Sequence, residues 1–352
     1  MEAVAANEDL GPARRAAPAA RPLALARWLF GVAALIAAIV VVGGITRLTE
    51  SGLSIVEWKP VTGVIPPLSH DQWVREFEAY QRIPQYTEVN GPAGMTLAQY
   101  QAIYFWEWLH RLLGRVIGLA MLLPLAWFWA RRAIPEGYLP RLLALAALIG
   151  LQGAFGWLMV RSGLSERTLV APQWLAVHLL TALFALGGMV WTALDLRAHA
   201  RGEAPARLTR FAALALAVLG IQLLYGALMA GTRAGYLASD WPTMQGEWVP
   251  AGIDWSRGAA TVFTDPFLVH FIHRWWAFVV VAVLVAMGRK LRAAGARPAS
   301  IAVHSAFGAQ ILLGIATVMS GVALWLAVLH QLVGAVLVAA TAWGAHALGR
   351  RR

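Results

Sequence analysis

Long apolar runs constrain this chain most, because each is about as long as a helix that crosses a bilayer. Eight such runs follow one another along 352 residues, and a spanning helix needs roughly 20 predominantly apolar residues. Only 13% of the residues are charged and the mean hydropathy is +0.61, whereas a soluble domain carries about 25% charged residues. The sequence therefore predicts an all-α polytopic membrane protein with eight transmembrane helices and the lipid bilayer as its solvent.

The runs also set the boundaries of the predicted segments. The predicted spans are Trp28–Thr46, Ile103–Ala130, Leu142–Val160, Pro172–Leu194, Phe211–Gly231, Phe267–Gly288, Ala299–Ser320 and Val322–Leu348. Two long loops, near 47–102 and 232–266, lie on the same side of the membrane because an even number of spans separates them. Residues 1–26 are rich in Ala, Pro and Arg and predict a disordered tail.

Basic residues predict which side of the membrane each segment faces. Arg131, Arg132 and Arg141 follow the second span, and similar clusters precede the first span and follow the fourth, sixth and eighth. Because short cytoplasmic loops carry an excess of Lys and Arg, we expect both termini in the cytoplasm and both long loops outside. The net charge of +11 does not indicate nucleic-acid binding, since the basic residues form no single soluble face.

Spans one to four resemble spans five to eight. Trp174 precedes His178 in the fourth span much as Trp325 precedes His330 in the eighth. Four spans return the chain to its starting side, so the two halves have the same orientation. We predict two pseudo-symmetric four-helix bundles side by side. The predicted bundles comprise residues 27–200 and 201–352.

Glutamine and glycine recur four residues apart within this repeat. Gln152-x-x-x-Gly156 in the third span corresponds to Gln310-x-x-x-Gly314 in the seventh. Small residues let helices approach closely, and an amide can hydrogen-bond a neighbouring helix. We interpret both motifs as helix packing.

Four histidines of the repeat lie in the even-numbered spans, about 10 Å below the outer boundary. They are His110, His178, His273 and His330. An imidazole in lipid is costly and usually functional, although an interhelical hydrogen bond explains a single one. Two per bundle suit a b-type haem iron between two imidazoles. The equal depth predicts two haems side by side, with electrons moving laterally between the bundles.

The two halves differ at Glu107, which corresponds to His270 and lies one turn before His110 on the same helical face. Burial would disfavour the charged carboxylate and let it exchange protons with a substrate or water. The alternative is a structural salt bridge to Arg111 or Arg115. The asymmetry predicts chemistry in the first bundle and electron relay in the second. His270 itself is an alternative iron ligand to His273, but the repeat register selects His273.

Five arginines lie near the histidines or the outer boundary: Arg47, Arg111, Arg115, Arg233 and Arg274. Their guanidinium groups are candidates to hold haem propionates through bidentate hydrogen bonds. Arginines that snorkel from helix ends to the interface would show the same pattern.

Several motifs in order resemble the haem A synthase family over nearly the whole chain, from about Gly43 to Gly334. They are Gly43–Ser54, Pro66-Pro67, Trp73, Phe77, Tyr80-Gln81, Pro84–Tyr86, Phe105–Arg115 and His330-Gln331-x-x-Gly334. The family supplies cytochrome oxidase with its haem by oxidising the C8 methyl of haem O to a formyl group through successive hydroxylations.

The resemblance implies a role for each matching residue. His110 and His178 would bind haem O as the substrate, His273 and His330 would bind haem b as the cofactor, and Glu107 would be the catalytic carboxylate. Some members carry a cysteine pair in an outer loop; this chain has no cysteine and is similar to the cysteine-free branch related to the mitochondrial type.

The resemblance also implies partners and a location. Haem O synthase and cytochrome oxidase assembly proteins would be partners, and homo-oligomers are left open. The location would be the bacterial inner (cytoplasmic) membrane, with the haem sites toward the outer, periplasmic side. The main rival function is a diheme b-type cytochrome that passes electrons from quinol. A transporter explains the histidines less well.

Overall fold

The computed structural model describes residues 20–350, which form ten α-helices and no β-strand. The helices are α1 Pro22–Leu48, α2 His70–Tyr80, α3 Leu97–Ala130, α4 Leu139–Leu164, α5 Pro172–His199, α6 Arg210–Gly231, α7 Thr261–Thr264, α8 Pro266–Ala293, α9 Arg297–Met319 and α10 Leu324–Gly349. Short turns of other helix types lie at Thr62–Val64, Gln85–Asn90, Ala234–Tyr236 and Trp255–Ala260. All but α2 and α7 are long and apolar enough to cross a membrane.

The eight predicted spans are confirmed, but α1 and α3 begin well before the predicted starts at Trp28 and Ile103. Helix α3 begins at Leu97, because Thr96 and Gln99 satisfy the first backbone N–H groups in a reciprocal capping box. Helix α1 begins at Pro22, a residue suited to a first helical turn, and Leu25 is buried. The predicted tail is therefore wrong for residues 22–26, and residues 1–19 lie outside the described part of the chain.

Packing follows chain order. Helices α1, α3, α4 and α5 contact one another, and so do α6, α8, α9 and α10. Contacts between these two sets run through α1, α5, α6 and α10. Leu29, Met189 and Leu284 are fully buried within one continuous apolar core. The orientation in the membrane and the symmetry between the halves stay predictions.

The first long loop contains the short helix α2. The side chain of Ser69 accepts a hydrogen bond from the backbone N–H of Gln72. The side chain of Gln72 in turn accepts a hydrogen bond from the backbone N–H of Ser69, which completes a capping box. Burial raises the pKa of Tyr80, at the end of this helix, to about 12. The protonated phenol donates to Gln85 Oε1 at 3.1 Å.

Aromatic side chains hold α2 against the outer end of α3. Trp73 meets Tyr104 edge-on with ring centres 5.0 Å apart, and Phe77 and Tyr80 lie 5.0 and 5.1 Å from the ring of Tyr100. The aromatic face of α2 is thus used inside the chain, which disfavours a protein contact through that face. The helix covers the outer end of α3, close to Glu107.

A buried ion network joins the two sets of helices at the opposite end of the molecule. Asp195 on α5 is fully buried and accepts hydrogen bonds from Arg141 at 2.6 Å and the backbone N–H of Ala206 at 2.8 Å. The imidazole of His346 on α10 lies 3.0 Å from the same carboxylate. This network fixes α5 to α10.

Candidate functional site

Two histidines of the first four spanning helices face each other. His110 on α3 and His178 on α5 have ring centres 6.4 Å apart and ring planes inclined by 50°. Their Nδ1 atoms are both buried and have no hydrogen-bond partner among the described residues. We call these residues the first histidine pair. Polar atoms buried without partners are costly and indicate that a ligand completes the site.

The ring separation fits two imidazoles on opposite sides of one metal ion. A metal–imidazole nitrogen bond is about 2.0 Å long, so two such bonds in line place the ring centres roughly 6 Å apart. No group of three or more His, Cys, Asp or Glu side chains within residues 20–350 is arranged to hold a metal ion. The donors thus suit the iron of a haem, which needs only two axial ligands from the protein.

The last four spanning helices contain the second histidine pair, His273 on α8 and His330 on α10. Both side chains are half-buried. His270, the alternative ligand, is buried and lies 3.1 Å from Arg274 Nη2. This contact engages Nε2 of His270 with Arg274, and it therefore favours His273 as the ligand.

All four imidazoles rest on a glycine of a neighbouring helix. A Cβ atom on Gly43, Gly156, Gly226 or Gly314 would lie 2.9–3.0 Å from Cε1 of His110, His178, His273 or His330, respectively. We call these four residues the seat glycines. Any larger side chain would push the imidazole aside. The interpretation of the Gly156 and Gly314 motifs as helix packing therefore holds, and the side chains that pack on these glycines are the candidate ligands His178 and His330.

Hydrogen bonds across helices reinforce the second pair. The side-chain amide of Gln222 on α6 donates to the backbone carbonyl of His273 at 3.0 Å, and His273 Nδ1 lies 3.3 Å from the carbonyl oxygen of Gln222. The amide nitrogen of Gln310 on α9 lies 3.3 Å from Nε2 of His330. For His273, an imidazole that donates through Nδ1 keeps its Nε2 lone pair for iron; the Nδ1 atom of His330, like those of the first pair, is buried and has no partner among the described residues.

Glu107 is buried and bonded on all sides. Its Oε2 accepts from Ser54 Oγ and the backbone N–H of Ile55, both at 2.8 Å. Its Oε1 accepts from Nε and Nη2 of Arg111 at 3.0 and 2.6 Å. Charge-assisted and bidentate bonds stabilise the carboxylate as an anion. The salt bridge considered as the alternative is therefore present, and the partner is Arg111.

Arg111 also ties the outer loop to α3. It donates to the carbonyl oxygens of Ile55 and Glu57 at 2.8 and 3.2 Å, and Trp58 stacks on its guanidinium at 5.5 Å. Arg115 does the same one turn deeper, through the carbonyls of Lys59 and Pro60 at 2.8 Å. The loop after α1 is thus fixed over the position of Glu107.

The second half repeats this arrangement without a carboxylate. Arg274 donates to the carbonyl oxygens of Asp240, Pro242 and Thr243 in the second outer loop, and to His270. Backbone hydrogen bonds, the strongest from Gly246, hold the pKa of the Asp240 carboxyl below its ordinary value and fix the loop. Both halves thus share a loop-binding arginine, and only the first adds an acid.

The two remaining arginines join the outer ends of α1 and α6. Arg47 donates to the carbonyl of Ala230 at 2.8 Å, and Arg233 pairs with Glu50 at 2.8 Å. Snorkelling does not describe Arg274, which is only 6% exposed. The Nε atoms of Arg47 and Arg274 and Nη1 of Arg115 are buried and have no partner among the described residues.

The comparison with known proteins agrees with this geometry. A family model described as "Cytochrome oxidase assembly protein" matches residues 26–342. The chain belongs to this family. Relatives named "Heme A synthase" include those of Novosphingobium aromaticivorans, 62% identical over 338 residues, and Sphingopyxis alaskensis, 58% identical over 338 residues. The alignments cover 94% and 95% of this chain and 96% and 95% of the relatives.

A more distant relative from Rhodopseudomonas palustris has the same name and is 47% identical over 330 residues. The alignment covers 91% of this chain and 90% of the relative. These matches confirm the family resemblance that the motifs predicted. They extend over all eight spanning helices except a few residues at the ends.

Sequence reasoning missed several residues of the site. Gly43 was part of a recognised motif, but only the structure shows that it seats His110. Gln222 and Gly226 have the same spacing as the two glutamine motifs that were recognised, so the pattern was available in the sequence. Ser54 also belongs to a recognised motif, but the sequence does not indicate its contact with Glu107, which depends on how the loop folds.

Proposed function

We propose that this chain is a haem A synthase, an oxidoreductase that converts haem O into haem A for cytochrome oxidase. The proposal rests on the high identity to relatives of that name. The observation in the molecule that carries it is the asymmetry between two similar histidine pairs, of which only the first has a buried carboxylate, Glu107, on the same helical face. The C8 methyl of haem O would be oxidised to a formyl group through successive hydroxylations.

The two pairs have different tasks in this proposal. His110 and His178 bind the iron of haem O and so position the porphyrin beside α3. His273 and His330 bind haem b, which supplies one-electron redox chemistry when bound. Oxidation of a methyl group to an aldehyde takes up one oxygen atom from an attacking oxygen nucleophile and releases electrons and protons from the first site, and an electron acceptor outside this chain would finally receive the electrons. The contacts of α5 with α6 and of α1 and α5 with α10 support the proposal that electrons pass laterally between the two sites.

Glu107 acts as an anion. As electrons leave the methyl carbon, that carbon becomes electron-poor, and a fixed carboxylate stabilises developing positive charge in a water-poor site. The same carboxylate can accept a proton from the attacking oxygen nucleophile. Ser54, Ile55 and Arg111 hold the group in one orientation, which supports either role.

The arginines are proposed to bind the carboxylates of the two haems. Most of their N–H groups already hold outer-loop carbonyls, but Arg47, Arg115 and Arg274 each retain a buried N–H without a partner. Arg111 and Arg233 act mainly through their ion pairs with Glu107 and Glu50. Haem propionates would complete the bonding of the unpaired groups.

The membrane setting follows from the charge pattern. Basic clusters at alternate helix ends support cytoplasmic termini and haem sites near the outer face of a bacterial inner membrane. We further propose residues 27–200 as the catalytic bundle and residues 201–352 as the haem b bundle. Haem O synthase, which makes the substrate, and cytochrome oxidase assembly proteins, which receive the product, are the expected partners.

Haem extraction and chromatography of the purified protein, expressed with and without a haem O supply, test the function. We expect haem b alone without the supply, and haem A together with its alcohol precursor when haem O is present. Haem b unchanged in both preparations would contradict the proposal and make the chain an electron-transfer cytochrome. A protein without haem in either preparation would contradict both readings.

A further inference from the structure

We propose that the outer-loop segment from Trp58 to Leu68 lies in the surface of the lipid bilayer, against the lipid-facing side of α3, and is not surrounded by water. We call residues 58–68 the apolar segment. Its exposed side chains, its hydrogen-bonded backbone and the face of α3 on which it rests support this placement. The placement would be the same whichever reaction the protein catalyses.

The exposed side chains of the apolar segment are largely aliphatic. Val61, Ile65 and Leu68 are 80%, 66% and 78% exposed. No residue from 60 to 69 is charged, and Lys59, the one charged residue of the segment, donates to Glu76 of α2 at 2.9 Å. Exposed apolar patches mark sites that contact a protein or a membrane. The segment therefore presents a surface that suits the acyl chains of lipids.

The backbone of the apolar segment needs few hydrogen bonds from water. Three of its residues are prolines, which have no N–H group: Pro60, Pro66 and Pro67. Four others donate their N–H groups to acceptors within the chain: Gly63, Val64, Ile65 and Leu68. Backbone groups without a partner are costly in lipid, so these bonds and prolines make an apolar environment tolerable for the segment.

The apolar segment rests on the side of α3 that faces lipid farther along the helix. Arg115 donates to two carbonyl oxygens of the segment at 2.8 Å, and Trp108 donates to a third at 3.1 Å. Trp108, Arg115 and Leu122 are spaced by seven residues and so share one helical face. Leu122 is 55% exposed on this spanning helix. The segment thus continues a surface that meets the bilayer.

The contacts with α3 lie at the level of the first histidine pair. Trp108 and Arg115 stand on either side of His110 in the sequence, about 10 Å apart along the helix axis. The apolar segment also follows directly on the loop residues that bind Arg111 and Glu107. Anchoring in lipid would therefore steady the part of the loop that orients Glu107.

A spin label on a single cysteine reports what surrounds each position. The chain has no cysteine, so Val61→Cys, Ile65→Cys and Leu68→Cys each provide one unique attachment point. The labelled full chain is placed in vesicles of phosphatidylethanolamine and phosphatidylglycerol. Relaxation of the label by oxygen, which concentrates in lipid, is compared with relaxation by a water-soluble nickel complex. Leu122→Cys is the lipid-facing reference, and Glu88→Cys, exposed elsewhere in the same loop, is the water-facing one.

We expect oxygen to relax the label more strongly than the nickel complex at positions 61, 65 and 68, as at Leu122. A stronger effect of the nickel complex, as at Glu88, would overturn the inference, because the segment would then lie in water. Weak effects of both reagents would also overturn it, since a protein surface, such as a second copy of this chain, would then cover the segment.

A charge placed in the apolar segment gives a second test. Val61→Asp adds a carboxylate to the proposed lipid contact, and a charge in lipid is costly. A label at position 68 should therefore shift toward relaxation by the nickel complex, whereas the matched control Val61→Leu should show no shift. Equal relaxation in the two variants would contradict the placement in lipid. Neither measurement uses haem conversion, so its result is separate from the test of the proposed function.

Discussion

The two halves of the molecule hold their histidine pairs in similar ways and differ in one neighbouring residue. Each half places imidazoles on seat glycines and uses an arginine, Arg111 or Arg274, to bind the adjacent outer loop. One turn before the first ligand, the first half has Glu107 where the second has His270. The difference is that only the first half has a buried carboxylate beside its histidine pair, and in the proposed function this carboxylate separates a reacting site from a relay site.

The two halves also differ in how far the rest of the chain buries their third spanning helix, which is α4 in the first half and α9 in the second. Only 6% of the most apolar stretch of α4 is buried, against 17% of the corresponding stretch of α9. Within α4 the buried residues are Leu142, Leu145 and Gly163, which lie near its two ends. Most of α4 between these ends is therefore not covered by other helices of the chain.

The largest effect should follow from removing the charge of Glu107, the residue that distinguishes the first half from the second. Glu107→Gln keeps the size of the side chain but loses its charge, so conversion of haem O should fall by about 10²–10⁴-fold. Haem b bound by His273 and His330 should be unaffected. Conversion is measured by extraction and chromatography of haems O, A and the alcohol intermediate.

A control keeps this prediction specific. Gln85→Leu alters a buried polar residue of the same outer loop that contacts Tyr80 rather than Glu107, and it should reduce conversion much less. Full production of haem A by Glu107→Gln would remove the carboxylate from the mechanism and reduce it to a structural partner of Arg111.

The comparison also requires the two halves to stay together. Asp195→Asn removes the charge of a buried carboxylate that accepts a hydrogen bond from the half-exposed Arg141 and faces His346, and a bond to a charged group contributes about 1.5–3 kcal/mol. The midpoint of thermal unfolding should fall clearly. Glu136→Gln, an exposed acid at the same end of the molecule, should leave the midpoint unchanged. Equal midpoints for both variants would show that this network does not hold α5 to α10.

A smaller effect should follow from removing one of the hydrogen bonds that orient Glu107. Ser54→Ala removes one hydrogen bond to the carboxylate, and a bond to a charged group contributes about 1.5–3 kcal/mol. Conversion should slow while the content of haem b stays the same. Ser51→Ala, which removes a buried hydroxyl that contacts Thr49 instead, is the control. A similar loss of conversion in both variants would mean that loop stability, and not the orientation of Glu107, is being measured.

The seat glycines provide the finest test of the comparison. Overpacking costs about 1–3 kcal/mol, so Gly156→Ala should weaken haem binding by the first pair and Gly226→Ala by the second, each without affecting the other. Absorption spectra and extracted haem content measure both. Gly153→Ala and Gly220→Ala are matched controls, since a Cβ atom at either position meets no atom within 4 Å. Equal effects of a seat glycine and its control would contradict the proposed contact.

Periodicity and chemistry account for what could be predicted. The eight spans could be predicted from the lengths of the apolar runs, because a single segment in the bilayer can satisfy its own backbone hydrogen bonds only as a helix. The histidines were recognisable because imidazoles inside such spans are rare and costly. The start of α1 at Pro22 could not be placed from hydropathy, since Arg21 and Arg27 interrupt the apolar run while packing buries Leu25.

Contacts that depend on tertiary structure were beyond the sequence. The hydrogen bonds that Glu107 accepts from Ser54 and Ile55 could not be anticipated, because these residues lie in a loop whose path the pattern does not reveal. The salt bridge was foreseen only as an alternative. Similarly, a glycine spaced from a glutamine indicates close packing, but it does not identify the histidine that is packed.

The most direct test of the account is the haem content of single histidine variants expressed without a haem O supply. We predict that His110→Ala and His178→Ala retain haem b with an unchanged spectrum, whereas His273→Ala and His330→Ala lose it, because the cofactor belongs to the second pair. Loss of haem b from the first-pair variants, together with its retention in the second-pair variants, would contradict the division of tasks between the two halves.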